Sequence, residues 1–162
     1  MSQSIKECDR CLATTKSGAR CKLRTCRGKK CWIHLKSQDK LRVKTSGIPN
    51  AGMGLFTLKD IKKNDKIVRY QGDHLTQAQV DARYPGDVTA QYVYCGNSRN
   101  CIDGRKTNSS VGRYSNDARG SNQRNNARLV WDSQRRQANL RATRKINSGR
   151  EVLASYGAAY WV

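Results

Sequence analysis

The sequence predicts a mostly β domain of short strands, preceded by a short N-terminal metal-binding module. Three observations lead to this prediction. The second half of the chain alternates short β-like runs with polar, sharply turning segments. Five of the seven cysteines fall between Cys8 and Cys31, in a region with few apolar residues. A length of 162 residues leaves room for one full domain and a small appendage. We place the module at residues 1–38 and the domain at 39–162.

The chain is strongly basic. It contains 32 Lys and Arg residues against 12 acidic ones, which gives a formal net charge of +20 at pH 7. This charge predicts attraction to polyanions such as nucleic acid, chromatin or an anionic membrane surface. The sequence contains neither an apolar run of ~20 residues nor an apolar signal-peptide core after Met1. We therefore expect a soluble, intracellular protein that is not secreted and has no membrane segment.

The N-terminal cysteines have the spacing of metal ligands. An odd number of clustered cysteines, without a secretion signal, favours metal ligation over disulfides. The most regular ligand set for a tetrahedral structural zinc ion is Cys11, Cys21, Cys31 and His34. Cys8 and Cys26 remain spare, so a Cys8/Cys11 pairing, a second partial site, or the replacement of one of these ligands by Cys8 or Cys26 all stay open. Free cysteines and a redox role are the alternatives.

The module is also basic, with ten Lys and Arg residues between Lys6 and Lys36. It can therefore contact nucleic acid, or it presents only a solvated basic face around a structural metal clip. The sequence alone leaves both interpretations open.

The middle of the chain predicts strands and one helix. Ile67–Gly72 is predicted as a strand after a turn, and Gln91–Tyr94 alternates as a second strand. Thr76 is a helix N-cap, and the helix is expected to stop at Pro85-Gly86. Cys95 and Cys101 are expected to be small buried residues.

Several motifs follow one another between Gly47 and Trp161. They are Gly52-Met53-Gly54-Leu55-Phe56, Gly112-Arg113-Tyr114-Ser115-Asn116-Asp117, Asn125-Asn126-Ala127, and Gly149-Arg150-Glu151 followed by Ser155-Tyr156-Gly157. In this order they resemble the SET-domain protein lysine methyltransferases, and the resemblance covers nearly all of the chain after the module. Three positions depart from the family pattern: Asp117 replaces a usual histidine, Asn125 a usual proline, and Arg150 the first of two usual glutamates.

The resemblance implies a SET-domain fold, in which small β-sheets surround a C-terminal pseudoknot. Two of the motif segments thread past each other in that fold and form one site for S-adenosylmethionine and a lysine side chain. The residues implied to bind the cofactor are Gly52, Met53, Gly54, Arg113, Tyr114, Asn116, Asp117 and Tyr156.

The resemblance also implies the catalytic and channel residues. Tyr156 corresponds to the tyrosine whose hydroxyl sits at the reacting centre, and Tyr92 fits the lysine channel better than Tyr94 does. No three-cysteine segment follows Gly157. We therefore expect Tyr160 and Trp161, or a partner subunit, to cover the channel. The alternative is that Tyr160 and Trp161 are aromatic residues of the hydrophobic core.

The function implied by the resemblance is S-adenosylmethionine-dependent methylation of a protein lysine, on a histone tail or another basic chromatin protein. This implies a nuclear or chromatin-associated location, in a cell or in the host of a virus, and a homodimer is left open. Because a basic enzyme repels a basic tail, we expect the net charge to engage nucleosomal DNA. One alternative is a catalytically silent SET-fold adaptor for chromatin or nucleic acid. A second is a zinc-dependent DNA- or RNA-binding protein in which the motifs are coincidental.

Overall fold

A computed structural model describes residues 4–86 and 90–155. As predicted, this part of the chain is mostly β. The strands are β1 Asp9–Arg10, β2 Arg24–Thr25, β3 Leu41–Thr45, β4 Met53–Thr57, β5 Lys66–Tyr70, β6 Asp73–Leu75, β7 Val93–Asn97, β8 Asn100–Asp103, β9 Ala127–Asp132, β10 Gln137–Ala142 and β11 Glu151–Val152. The helical segments are α1 Trp32–His34, a π-helical turn Leu35–Asp39, α2 Gln77–Arg83 and a 3-10 turn Val111–Tyr114. None of the helices in the described ranges has the length and apolar character needed to span a bilayer.

The strands form several small antiparallel sheets, as the SET-domain resemblance implied. The three-stranded sheets have the orders β11-β4-β3, β5-β10-β9 and β6-β8-β7, and β1 pairs with β2 in a separate ribbon. β10 is the central strand of its sheet, and its alternating residues Ala138, Leu140 and Ala142 are buried.

The main hydrophobic core lies between these sheets. It joins residues of the strands and of the 3-10 turn with one residue of the N-terminal module, Leu35. Leu35 directly follows His34 and is 5 % exposed, and it shares this core with Leu41 and Leu55. The module therefore packs on the β domain through a common core. The division at residue 38 stays a prediction.

Backbone pairing ties the start of the chain to the β domain. The Ile5 N–H donates to the carbonyl of Arg105 at 2.8 Å, and the Thr107 N–H donates to the carbonyl of Ile5 at 2.8 Å. Nearby, Gly28 has a φ of +74° and packs against Val111. A Cβ atom there would lie 2.5 Å from Val111 Cγ1, so glycine is needed for both reasons.

The predicted helix is confirmed and the second predicted strand is corrected. α2 begins after Thr76, which forms a capping box with Gln79, as the N-cap prediction requires. The strand predicted over 91–94 begins instead at Val93, and Tyr92 lies in the preceding turn. The Tyr92 carbonyl accepts hydrogen bonds from the Tyr70 hydroxyl at 2.7 Å and from the Gly104 N–H at 2.9 Å, which hold it there.

The expectation that the cysteines do not form disulfides is wrong for four of the seven, whereas Cys101 is buried as expected and Cys95 is only half-buried. Cys8 forms a disulfide with Cys26, and Cys95 forms one with Cys101. Strand register explains both pairs: Cys95 lies opposite Cys101 in the β7–β8 ladder, and the β1–β2 register places Cys8 opposite Cys26. Cys8 and Cys26 therefore do not replace any of the predicted zinc ligands.

Candidate functional site

Two polar segments of the chain enclose its last described strand region. Asn116 forms a parallel bridge with Leu153, and Ala127 forms one with Ala154. The Ala154 N–H donates to the Asn116 carbonyl at 2.9 Å, and the Ala127 N–H donates to the Leu153 carbonyl at 3.0 Å. Residues 153–154 thus run between two segments that both lie much earlier in the sequence, which is the threaded arrangement implied by the resemblance.

The Asn126 side chain holds the threaded region together by hydrogen bonds. Its Nδ2 donates to the Glu151 carbonyl at 2.9 Å, and its Oδ1 accepts from the Leu153 N–H at 2.9 Å. The buried amide therefore occupies the hydrogen-bonding positions that a neighbouring strand would fill. Sequence analysis identified this asparagine only as part of a motif and assigned it no role.

The buried Glu151 carboxylate forms hydrogen bonds next to the threaded region. It accepts hydrogen bonds from the Ser46 hydroxyl at 2.6 Å and from the Gly47 N–H at 2.9 Å. Asn116 Nδ2 lies 3.5 Å from the same carboxylate. Sequence reasoning missed this role, and the only available signal was the second glutamate position of the family motif.

The Gly52-Met53-Gly54 segment meets Asn116 and Glu151. Asn116 Nδ2 donates to the Met53 carbonyl at 2.9 Å. Gly54 lies inside β4, and a Cβ atom at this position would collide with Oε1 of Glu151. Space for a buried carboxylate therefore accounts for Gly54, whereas its predicted contact with a cofactor stays a prediction.

Asn116 keeps one acceptor available at this junction. Its Nδ2 is committed to Met53, but none of the residues described by the structure donates a hydrogen bond to its Oδ1. The residue is only half-buried. An amide oxygen in this position can accept from a charged amino group, which is one of the stronger kinds of hydrogen bond.

Two of the three departures from the family pattern form a pair. Asn125 Nδ2 donates to Asp117 Oδ1 at 3.1 Å, and Asn125 Oδ1 accepts from the Ala118 N–H at 2.8 Å. Asp117 Oδ1 also accepts from the Arg119 N–H at 2.9 Å. Asp117 and Asn125 therefore close the loop between the two threaded segments, so these departures leave the loop well supported.

Arg113 and Tyr114 are buried and engaged with protein groups. Arg113 Nε donates to the Gly104 carbonyl at 2.8 Å, and its guanidinium lies 4.1 Å from the centre of the Tyr92 ring. The Tyr114 hydroxyl donates to the Thr107 carbonyl at 3.0 Å. Burial raises the pKa of the Tyr114 hydroxyl. Both side chains support the site from within, and their predicted contact with a cofactor stays a prediction.

A cavity opens beside the threaded region, and two of the predicted channel residues line it. Tyr92, Tyr94 and Ser155 contribute to its wall together with Arg113 and Arg128. Burial raises the pKa of the Tyr94 hydroxyl, so it stays protonated at neutral pH. Among the described residues of the lining, none carries a carboxylate or an imidazole.

Three predicted site residues belong to the C-terminal segment of the sequence. Tyr156, Tyr160 and Trp161 lie outside the described residues. The described chain ends at Ser155, on the wall of the cavity, and Tyr156 is the next residue in sequence.

The predicted metal ligands do come together. The ligand atoms of all four lie within 4.8 Å of one another, and the residues are Cys11, Cys21, Cys31 and His34. His34 Nδ1 is 3.3 Å from the Cys31 sulfur and 3.7 Å from the Cys11 sulfur. Zinc bonds of about 2.3 Å to sulfur and 2.0–2.1 Å to nitrogen place tetrahedral ligands roughly 3.5 Å apart, so this cluster fits a zinc ion.

Two thiols of the cluster differ in their electrostatic surroundings. Burial raises the pKa of the Cys11 thiol, but hydrogen bonds to its sulfur outweigh burial and the net pKa lies below the ordinary value. The Cys31 N–H donates one of them at 3.2 Å. For Cys31 burial dominates, and its pKa is raised.

Comparison with protein families agrees with this geometry. Residues 52–157 match the family model of the SET domain. The match covers well over half of the chain and includes every threaded segment, so the chain belongs to the SET domain family, which generally includes protein lysine methyltransferases. A comparison with curated proteins gives no match.

Proposed function

We propose that this protein is an S-adenosylmethionine-dependent protein lysine N-methyltransferase that acts on a histone or another basic chromatin protein. One observation carries the proposal. Asn116 joins the Met53 carbonyl to the threaded strand at Ala154, next to a cavity lined by Tyr92 and Tyr94. A polar junction for the cofactor and an aromatic cavity for an alkylamine are thereby adjacent.

The residues at the junction fit the methionine end of the cofactor. When bound, S-adenosylmethionine supplies a methyl group already activated on a sulfonium. Asn116 Oδ1 is an acceptor suited to the charged amino group of that ligand. The Met53 carbonyl fixes the amide orientation through Nδ2, so that the oxygen is the atom left for a ligand.

The cavity suits a lysine side chain that must lose its proton. The ordinary pKa of a lysine amine is ~10.4, and only the neutral amine can attack a methyl group. Arg113 and Arg128 line the cavity and disfavour a further positive charge in it. Because no described lining residue is an evident general base, we expect the proton to leave to water. Tyr92 and Tyr94 then orient the amine, and Tyr156 is assigned the reacting centre on the family pattern.

We further propose that the Cys11, Cys21, Cys31 and His34 cluster holds one structural zinc ion. All four protein ligands are present, three of them are buried, and no described carboxylate stands beside them for catalysis. The zinc ion then holds the module in the conformation in which its residue Leu35 packs into the main core.

The same geometry is open to a catalytically silent adaptor that uses the SET fold without its chemistry. Calorimetric titration with S-adenosylmethionine separates the two, because an adaptor need not bind it. We expect saturable binding of one molecule per chain. We expect Asn116→Ala to weaken it about ten- to a hundredfold, the effect of losing about 1.5–3 kcal/mol for a hydrogen bond to a charged group.

The matched control is Asn147→Ala, which removes an exposed asparagine outside the threaded segments and should leave the affinity unchanged. Absence of saturable heat from protein that retains its zinc would favour the adaptor.

A further inference from the structure

We propose that the groove between the Cys/His module and the SET domain binds single-stranded nucleic acid, with Trp32 as the residue on which a base stacks. This groove has a volume of about 890 Å³, within the usual range for ligand-binding clefts. It is distinct from the cavity of Tyr92 and Tyr94, and the inference does not rest on the proposed methyl transfer.

The charge of the groove selects an anionic ligand. Six cationic side chains line it, from both the module and the domain: Lys6, Arg24, Arg27, Lys30, Lys36 and Arg42. Its described lining contains neither Asp nor Glu. The positive charges of these side chains repel one another in the free protein. A bound polyanion removes this repulsion, and its binding releases condensed counterions.

Most of these cations have no carboxylate to neutralise them. Lys30 forms an ion pair with Asp39 at 2.7 Å, and Arg24 donates to the Cys8 carbonyl. Over residues 4–86 and 90–155, no ion pair engages Lys6, Arg27, Lys36 or Arg42. Four guanidinium and ammonium groups therefore remain for phosphates.

Trp32 adds what a purely electrostatic surface lacks. Its side chain is 73 % exposed, the most exposed of the large apolar side chains described. Trp32 lines the groove together with Lys36. Leu35 and Tyr114 belong to the same lining, but both residues are buried. A basic groove with an exposed aromatic face is the combination that binds single strands, because any unpaired base can stack on it. The bases of a duplex are already stacked, so a duplex would use the cations but not Trp32.

The test measures binding of a fluorescently labelled 12-nucleotide single strand and of a duplex of the same sequence to the full chain, by anisotropy. We expect the single strand to bind about tenfold more tightly than the duplex. Trp32→Ala should weaken single-strand binding about ten- to a hundredfold, and Trp32→Phe should restore most of it. Leu12→Ala is the matched control, because Leu12 is another exposed apolar residue of the module that does not line the groove.

The cations are tested by salt dependence. The double variant Lys36→Ala/Arg42→Ala should reduce the slope of log K against log salt by about 1.4, since each phosphate contact on a single strand contributes about 0.7. The control Lys63→Ala/Lys145→Ala removes two exposed charges outside the groove and should change the slope less. Zinc content and circular dichroism establish that each variant is folded.

Three results would overturn the inference. Equal or tighter binding of the duplex, with no effect of Trp32→Ala, would identify a surface that contacts only phosphates. Equal loss with the control lysines would identify diffuse charge attraction. Tighter binding of polyglutamate than of either oligonucleotide would indicate an acidic protein partner.

Discussion

Replacing Glu151 with alanine is expected to lower the free energy of unfolding by about 3–5 kcal/mol, because hydrogen bonds to a charged group contribute about 1.5–3 kcal/mol each. Glu151 is 6 % exposed, and its carboxylate accepts hydrogen bonds from the Ser46 hydroxyl and the Gly47 N–H. Truncation leaves both donors without their acceptor in a buried place. Urea unfolding followed by circular dichroism measures the loss.

The chain offers a matched control, since Glu7 is its other glutamate and is exposed. Glu7→Ala should change the free energy of unfolding by less than about 0.5 kcal/mol. A Glu151→Ala protein as stable as the wild type would show that the carboxylate does not anchor the threaded region.

A substitution at Gly54 provides a second test of the role of Glu151. Gly54→Ala places a methyl group against Oε1 of Glu151 and should itself cost about 1–3 kcal/mol through overpacking. In the Glu151→Ala background the colliding oxygen is gone, so the same change should cost less. The two effects are therefore expected to be non-additive, and strict additivity would place the cause of the Gly54 requirement elsewhere.

Loss of Cys31, one of the four proposed zinc ligands, is expected to have the second large effect. Cys31→Ser should abolish stoichiometric zinc binding and unfold the module, because residues 8–38 have few apolar side chains with which to form a separate core. The four-residue core cluster of the module consists of the three cysteine ligands and Ala13. Structural zinc binds zinc-finger peptides with about 10–16 kcal/mol of apparent free energy, which exceeds the whole stability of a typical domain. Metal analysis and thermal unfolding report the two consequences.

The control for this variant is Cys8→Ser/Cys26→Ser, which removes the disulfide but no ligand. It should retain about one zinc ion per chain. Two results would contradict the proposed zinc site. One is wild-type protein that contains no zinc after purification in zinc-containing buffer, and the other is a Cys31→Ser protein that still binds one zinc ion. Because Leu35 lies in the main core, we also expect zinc removal to lower the unfolding temperature of the SET domain.

Local sequence patterns predicted the elements that depend on neighbouring residues. Thr76 and Gln79 form a capping box within one helical turn, and the four predicted metal ligands follow a regular spacing along the sequence and come together. The order of the motifs was sufficient to predict the SET fold. These signals are readable because each is contained within a short segment or in an order along the chain.

Features made by distant residues were not predictable in the same way. The Ser46 hydroxyl and the Glu151 carboxylate are 105 positions apart. The mutual support of Asp117 and Asn125 appears only when the loop closes, so each looked like an isolated departure from the family. Cysteine count and compartment argued against disulfides, whereas strand register brought Cys8 to Cys26 and Cys95 to Cys101.

The basic groove is a further example. Its lining comes from Lys6, the β2 region, α1, Arg42 and Thr107, which meet only through the packing of the module on the domain. From sequence, the ten cations of the module were compatible with either a nucleic-acid contact or a solvated face. The position of Trp32 among them is what favours the first.

Transfer of labelled methyl from S-adenosylmethionine to histones, nucleosomes and other basic proteins tests the central claim most directly. We expect label on lysine with the wild-type protein, and a loss of about a hundredfold with Tyr156→Phe, because a misplaced reacting group costs about this factor. Bound zinc and an unchanged circular dichroism spectrum establish that the variant is folded. Absence of label on every basic substrate, from protein that retains its zinc, would contradict the proposed methyltransferase.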